Sequence, residues 1–198
     1  MLGRPTTPQK LDLNRLQSAL RDTGSIQETH SVEQTPSAVL LPLYFDGGHA
    51  HILLTKRSES LRHHRGQISF PGGKCESGDA NYLSTALRET HEEIGLPPER
   101  VQVLGALSPI PTPTGFYIYP YVGLIPYPYE YQTDPGEIAC LIQVPLAHLL
   151  APKNHRTEIR QAGGQDRLIH YYDYKEWVIW GVTGYLLWDC LEKIRNKT

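Results

Sequence analysis

Two rhythms of apolar positions organise the chain. Leu13, Leu16 and Leu20 recur three and four apart, which predicts a short amphipathic helix over 12–21. A polar stretch over 22–37 reads as loop. AVLLPLYF (38–45) and HILLTKR (51–57) then read as strands, and Asp46-Gly47-Gly48 between them predicts a hairpin. Pro42 has no N–H to give to a ladder and points to an edge position or a bulge. Further strands are predicted at QISF (67–70), VQVLGALS (101–108), FYIYPYVGLI (116–125), RLIHYYDY (167–174) and WVIW (177–180), and EIACLIQVPL (137–146) reads as a strand running into a helix start. The helical rhythm returns over 81–94, where Leu83, Ala86, Leu87, Thr90 and Ile94 share a stripe, and again from Val182 to Ile194. No repeat, low-complexity tract or separating linker interrupts this pattern. It predicts an α/β chain with a mixed sheet and a few helices packed on it.

Composition narrows the class without naming it. The chain has 198 residues and a formal charge of −2, so excess basic charge offers no hold on nucleic acid. No apolar run approaches the ~20 residues of a membrane span. MLGRPTTPQK has no apolar region of the signal-peptide kind. Cys75, Cys140 and Cys190 are too few and too scattered for a zinc or disulfide framework, and the expected compartment is the cytoplasm. The oligomeric state is left open, with a homodimer among the options.

The chemistry concentrates in LRETHEEIGL (87–96). On a helix, Glu89 and Glu93 stand one turn apart beside the apolar stripe, and Glu92 lies further round the same side. Asp79 or Asn81 is placed to cap the helix start and Gly95 to end it. Like charges so spaced cost roughly 0.2–0.5 kcal/mol per pair. A solvated helix face is one explanation. A hard divalent cation, which takes oxygen ligands and turns the repulsion into attraction, is the other. Gly72-Gly73 favours the second, because a diglycine before the helix lets backbone come close to a ligand. Arg88 is placed to pair with a neighbouring carboxylate.

GGKCESGDANYLSTALRETHEEIGL (72–96) resembles the Nudix box. The resemblance implies a Nudix fold, a mixed β-sheet sandwiched between α-helices, over 38–198, preceded by a helix and loop over 1–37. It implies hydrolysis of a diphosphate linked to another moiety, with Mg2+ or Mn2+ held by Glu89, Glu93 and Glu92, and the Gly73 carbonyl as a further ligand. Two positions depart from the box. Asp79 stands in place of a glutamate, with eight residues between it and Arg88, and Thr90 replaces an apolar residue. Two residues compete as the base that activates water: Glu89, and Glu137 in Asp134-Pro135-Gly136-Glu137.

LLTKRSESLRHHRGQISFPGG (53–73) resembles the signature that precedes the box in the coenzyme A pyrophosphatase branch, as do PTPTGFYIYPYVG (111–123) and DPGEIACLIQVPL (134–146). This implies coenzyme A or a derivative as the small-molecule partner, with Arg57, Arg62, His64, Gln67, Gly72 and Gly73 as substrate-binding residues. Lys56, Arg57, Arg62, His63, His64 and Arg65 crowd basic or titratable groups where a diphosphate and a 3′-phosphate need donors. Cys140 departs from this branch, which often carries an acidic residue there. The alternating tyrosines at 117, 119, 121, 127, 129 and 131 are expected to pack as a strand face, and His91 and His170 are expected to be structural. Competing readings are a Nudix hydrolase of ADP-ribose or NADH, and a non-catalytic Nudix-fold binding module.

Overall fold

The structure is a computed structural model that describes residues 13–21, 34–60, 65–162 and 164–196. Four helices, α1 (Leu13–Arg21), α2 (Tyr82–Ile94), α3 (Leu146–Leu150) and α4 (Gly181–Asn196), pack on two sheets. The larger sheet holds β1 (Thr35–Asp46), β2 (His49–Arg57), β3 (Ile68–Ser69), β4 (Gly72–Lys74), β5 (Gln102–Ala106), β6 (Ile110–Pro111), β7 (Phe116–Leu124) and β8 (Ile138–Pro145). Its main order is β3-β2-β1-β7-β5, with β4 on β1, β6 on β7 and β8 on β2. The smaller sheet runs β11-β10-β9, from β9 (His155–Ala162), β10 (Gln165–Tyr174) and β11 (Trp177–Ile179).

β1 explains why the apolar run over 38–45 is nearly continuous. Helices cover both faces of the sheet, so both faces of the strand are buried. Ala38 and Leu40 pack with Ala86 of α2 on one face. Leu41 and Leu43 join Leu16 and Leu20 of α1 and Leu187, Leu191 and Ile194 of α4 on the other. The sheet is mixed because β1 and β7 run parallel, from Thr35↔Phe116 to Leu43↔Leu124, while the other pairings are antiparallel.

The edge position expected from Pro42 is not found, since β1 is an interior strand. β4 pairs with β1 at 37–39 and β2 pairs with it from Leu43 onward, which leaves Pro42 between the two. Leu40 donates its N–H to the Pro71 carbonyl at 2.9 Å. Strand alternation turns the nitrogen of Pro42 toward the same side, at the place where the partner strand changes and no ladder donor is needed.

One strand was not predicted, and one expectation needs correction. β9 is a full eight-residue strand, yet HRTEIRQA carries no apolar alternation, and residues 156–161 are exposed on both faces. The tyrosines do pack, but only Tyr117, Tyr119 and Tyr121 lie on a strand. Tyr119 is fully buried and stacks on Tyr82 at 3.7 Å. Tyr127, Tyr129 and Tyr131 lie beyond β7 in irregular backbone, where Tyr129 Oη donates to the Gly95 carbonyl and Gln132 N–H to the Ile94 carbonyl. This segment therefore holds the end of α2. His170 is buried and stacks on Trp188, as expected of a structural histidine, while His91 is exposed in the last turn of α2.

Candidate active site

The site is built around α2, whose ends are both secured. Asn81 Oδ1 accepts the Ser84 N–H at 2.9 Å and Ser84 Oγ accepts the Asn81 N–H at 2.9 Å, a reciprocal cap. Gly95 closes the helix at φ 68°, a conformation that favours glycine. Asp79 is not the cap. It accepts Arg88 Nε at 3.0 Å and Nη2 at 3.1 Å, Thr85 Oγ1 at 2.8 Å and the Glu76 N–H at 2.9 Å. These bonds, led by those from Arg88, hold its carboxyl well below the usual carboxylate range.

Arg88 is the hub of the arrangement. Besides Asp79, its Nη1 donates to Glu89 Oε1 and Glu92 Oε2, both at 3.0 Å, and its Nη2 to the Lys74 carbonyl at 3.0 Å. The guanidinium ties the start of α2, its acidic turn and β4 into one unit. Glu92 is exposed, while Glu89 is partly buried against Gly73, where a Cβ on the glycine would overlap its carboxylate. Burial pushes the Glu89 carboxyl up, Arg88 opposes that, and the charges of Glu92 and Glu137 add to it.

Glu93 does not stand beside the buried stripe but within it, at 3% exposure. Arg57 Nη1 at the end of β2 lies 3.5 Å from Glu93 Oε1, and the Gly72 N–H donates to this carboxylate. Burial pushes its pKa up to about 8; Arg57 opposes the shift, and Glu89 and Glu137 add to it. Glu93 Oε2 and Arg57 Nε are buried and have no partner among the described residues. Gly72, at φ 153°, lies so close to β1 that a Cβ would overlap the Ala38 carbonyl and Val39. That contact brings the diglycine over the acidic turn.

Glu137 precedes β8 and is exposed, and its carbonyl accepts the Ser58 N–H at 2.7 Å, next to Arg57. The structure thus brings Glu89, Glu92, Glu93, Arg88, Glu137, Arg57, Gly72 and Gly73 together. Gln67 lies with them through its backbone, its carbonyl accepting the Arg57 N–H at 2.9 Å. Arg62 and His64 lie outside the described residues. Cys140 is partly buried on β8 opposite Lys56. The sequence singled out Asp79 as a candidate cap and as the acid of the box, but its pairing with Arg88 and Thr85 was not anticipated. The available signal was an acid at the box position nine residues before Arg88.

Among the described residues, no group of three or more His, Cys, Asp or Glu side chains is posed to hold a cation. The expected trio does not converge because Arg88 Nη1 lies between Glu89 and Glu92. The chemistry of the donors nonetheless suits one. A buried carboxylate with an unpartnered oxygen, a raised pKa and a second carboxylate nearby gains from a hard divalent ion.

The NUDIX domain family matches residues 34–163. The uncharacterized Nudix hydrolase NudL of Photorhabdus laumondii is 36% identical over 160 residues, 80% of this chain and 84% of that protein. NudL of Cronobacter sakazakii is 35% identical over 188 residues, 94% of this chain and 97% of that protein. In fold, the chain is similar to a MutT/nudix family protein from Enterococcus faecalis, with TM-score 0.56 and 13% identity over 95% of this chain and 71% of that one. It is also similar in fold to the M. smegmatis Nudix hydrolase RenU, with TM-score 0.50 and 24% identity over 59% of this chain and 73% of that one. A family match running from the start of β1 to the end of β9, together with relatives aligned over most of their own length, shows that the chain belongs to the Nudix hydrolase family.

Proposed function

We propose that this Nudix hydrolase cleaves the diphosphate linkage of coenzyme A and its derivatives, releasing 3′,5′-ADP and 4′-phosphopantetheine or its acyl form. The observation that carries this reading is the Arg57–Glu93 contact, which sets the upstream signature against the acidic turn of the box. The Arg57 N–H to Gln67 carbonyl bond draws the two ends of the intervening basic segment together at the same place. In this reading Arg57, Arg62 and His64 supply cationic donors to the phosphates, and Gln67 reads a polar group without adding charge. A cytoplasmic setting, where coenzyme A is met as a soluble small molecule, accompanies it. Among the described residues no helix is long and apolar enough to cross a membrane.

Glu89 and Glu93, with Glu92 and the Gly73 carbonyl in support, are the groups that would hold Mg2+ or Mn2+. Such an ion, when bound, neutralises phosphate oxygens and acidifies water. Arg88 fixes the rotamer of Glu89 and resists collapse of the acidic turn. Glu93 offers a carboxylate already stripped of water. Glu89 is held by Arg88, whereas Glu137 has no Lys or Arg partner among the described residues, and its charge reaches both Glu89 and Glu93. Glu137 is therefore our choice for the carboxylate that takes the proton of the attacking water.

A turnover panel of coenzyme A, dephospho-coenzyme A, ADP-ribose and NADH, with products identified by mass, tests the substrate. Coenzyme A is expected to show the highest kcat/KM. A charge-assisted bond to the 3′-phosphate is worth roughly 1.5–3 kcal/mol, about ten- to a hundredfold over the dephospho form. Equal hydrolysis of ADP-ribose would overturn this choice in favour of another nucleoside diphosphate derivative, and no turnover of any of the four would favour the binding-module reading.

A further inference from the structure

β9 is the outer strand of the small sheet, and among the described residues nothing pairs with its free edge. Its eight residues pair with β10 in unbroken register, from His155↔Tyr172 to Ala162↔Gln165. An edge that long is normally blunted by a bulge, a proline or an inward charge, because its free N–H and C=O groups invite another strand. HRTEIRQA has no proline and no lysine, and the register with β10 shows no shift. Ile159 is 70% exposed, and Leu168, its cross-strand partner on β10, is 54% exposed. They share a face with His170 and Tyr172 but lie beyond the cover that α4 gives those residues.

We infer that β9 pairs antiparallel with β9 of a second copy of this chain across a two-fold axis at Ile159, joining the two small sheets into one six-stranded sheet. Of the registers centred on Glu158, Ile159 and Arg160, only that at Ile159 is self-complementary; centring on Thr157 would also oppose Glu158 to Arg156, but it sets Ile159 against His155 instead of its symmetry mate. With Ile159 opposite its own symmetry mate, Glu158 of each copy faces Arg160 of the other, twice over. On the opposite face, Leu168, Ile159 and their symmetry mates form one apolar row across the joint. Centring the axis on Glu158 or Arg160 instead sets like charges directly opposite each other, which is destabilising. Within one copy Arg160 already bonds Glu158, Nη2 to Oε2 at 3.0 Å, and Arg156 and Tyr171 also hold Glu158, so these charges are fixed on one face of the sheet, where those of the second copy would stand opposite them. The contact is isologous and closes at two copies.

Sedimentation velocity of the full chain over a range of concentrations tests the pairing, with circular dichroism checking that each variant is folded. Wild type is expected at twice the 22.4 kDa chain mass. Glu158→Arg opposes arginines across the axis and Arg160→Glu opposes glutamates, so each alone should weaken self-association by about tenfold or more. An equimolar mixture of the two variants restores both opposite-charge pairs and should return to dimer. This rescue comes from contact between copies and cannot arise from a fold defect within one chain. A monomeric wild type at the highest concentration would overturn the inference. So would a dimer that both variants leave intact, or a mixture that stays monomeric.

Discussion

Arg57 Nη1 stands 3.5 Å from Glu93 Oε1, and each residue keeps a second buried polar atom, Nε and Oε2, that no described residue satisfies. Glu93 is 3% exposed and Arg57 27%, and a contact so loosely made repays little of the cost of removing the carboxylate from water. The defect falls at the centre of the acidic turn, on a helix whose two ends are both capped. That is where a Nudix hydrolase has use for an oxygen not yet spoken for.

Replacing Glu93 with glutamine separates the chemistry from the fold. The side chain keeps its shape and loses its charge. kcat is expected to fall by at least about two orders of magnitude, the scale of removing a group that acts on developing charge. The melting temperature should hold or rise, because burial disfavours a charge at this position and the glutamine cannot carry one. Steady-state kinetics and a thermal melt on one preparation check this; a collapse of the melt would make Glu93 a structural residue.

In chelator, the same carboxyl predicts how stability follows pH. Its folded pKa of about 8 lies above the ordinary 4.5, so between these values the folded chain holds a proton that the unfolded chain has released. This contribution is fully present below about 4.5 and is lost as pH rises through about 8. The melting temperature in chelator should therefore fall over that window, at roughly 2–4 °C for each kcal/mol lost. Glu93→Gln should flatten this limb. An unchanged slope in that variant would mean that another group titrates.

Gly73→Ala is expected to damage the reaction and spare the fold. The added Cβ would overlap the Glu89 carboxylate, which Arg88 holds at 3.0 Å and which therefore cannot swing away freely. A misplacement of about 1 Å at a catalytic group costs on the order of a hundredfold. A drop in kcat/KM with an unchanged melt supports this. Full activity would show that Glu89 has room to move.

Asp79→Asn removes the charge that aligns Arg88. Breaking charge-assisted bonds at a site 8% exposed is expected to cost about 1–3 kcal/mol. The Asp79 carboxyl is depressed in the folded state, so its contribution is present above its ordinary pKa of 3.8 and is lost as pH falls through the folded value. The variant should melt earlier at neutral pH, and the gap to wild type should narrow on acidification. A gap that widens in acid would contradict this role.

The sequence by itself determined the local elements and the chemistry on α2. Gly95 and the Leu83–Ile94 stripe specify the end and the face of a helix whose start was narrowed to Asp79 or Asn81, and that helix places Glu89, Glu92 and Glu93 on one side within a turn. These are short-range matters, decided by 3.6-residue periodicity and capping. The hairpin of β1 and β2 was equally legible, because a glycine turn joins two apolar runs. Tertiary structure alone decided the parallel pairing of β1 with β7, the interior place of Pro42, the strand at β9, and the burial of Glu93 against Arg57. Each depends on which distant segment arrives alongside. A proline is tolerated where two partner strands leave a gap, and a polar strand forms where β10 offers it a ladder. A carboxylate is desolvated where α2 meets the end of β2, and no spacing within either segment records that meeting.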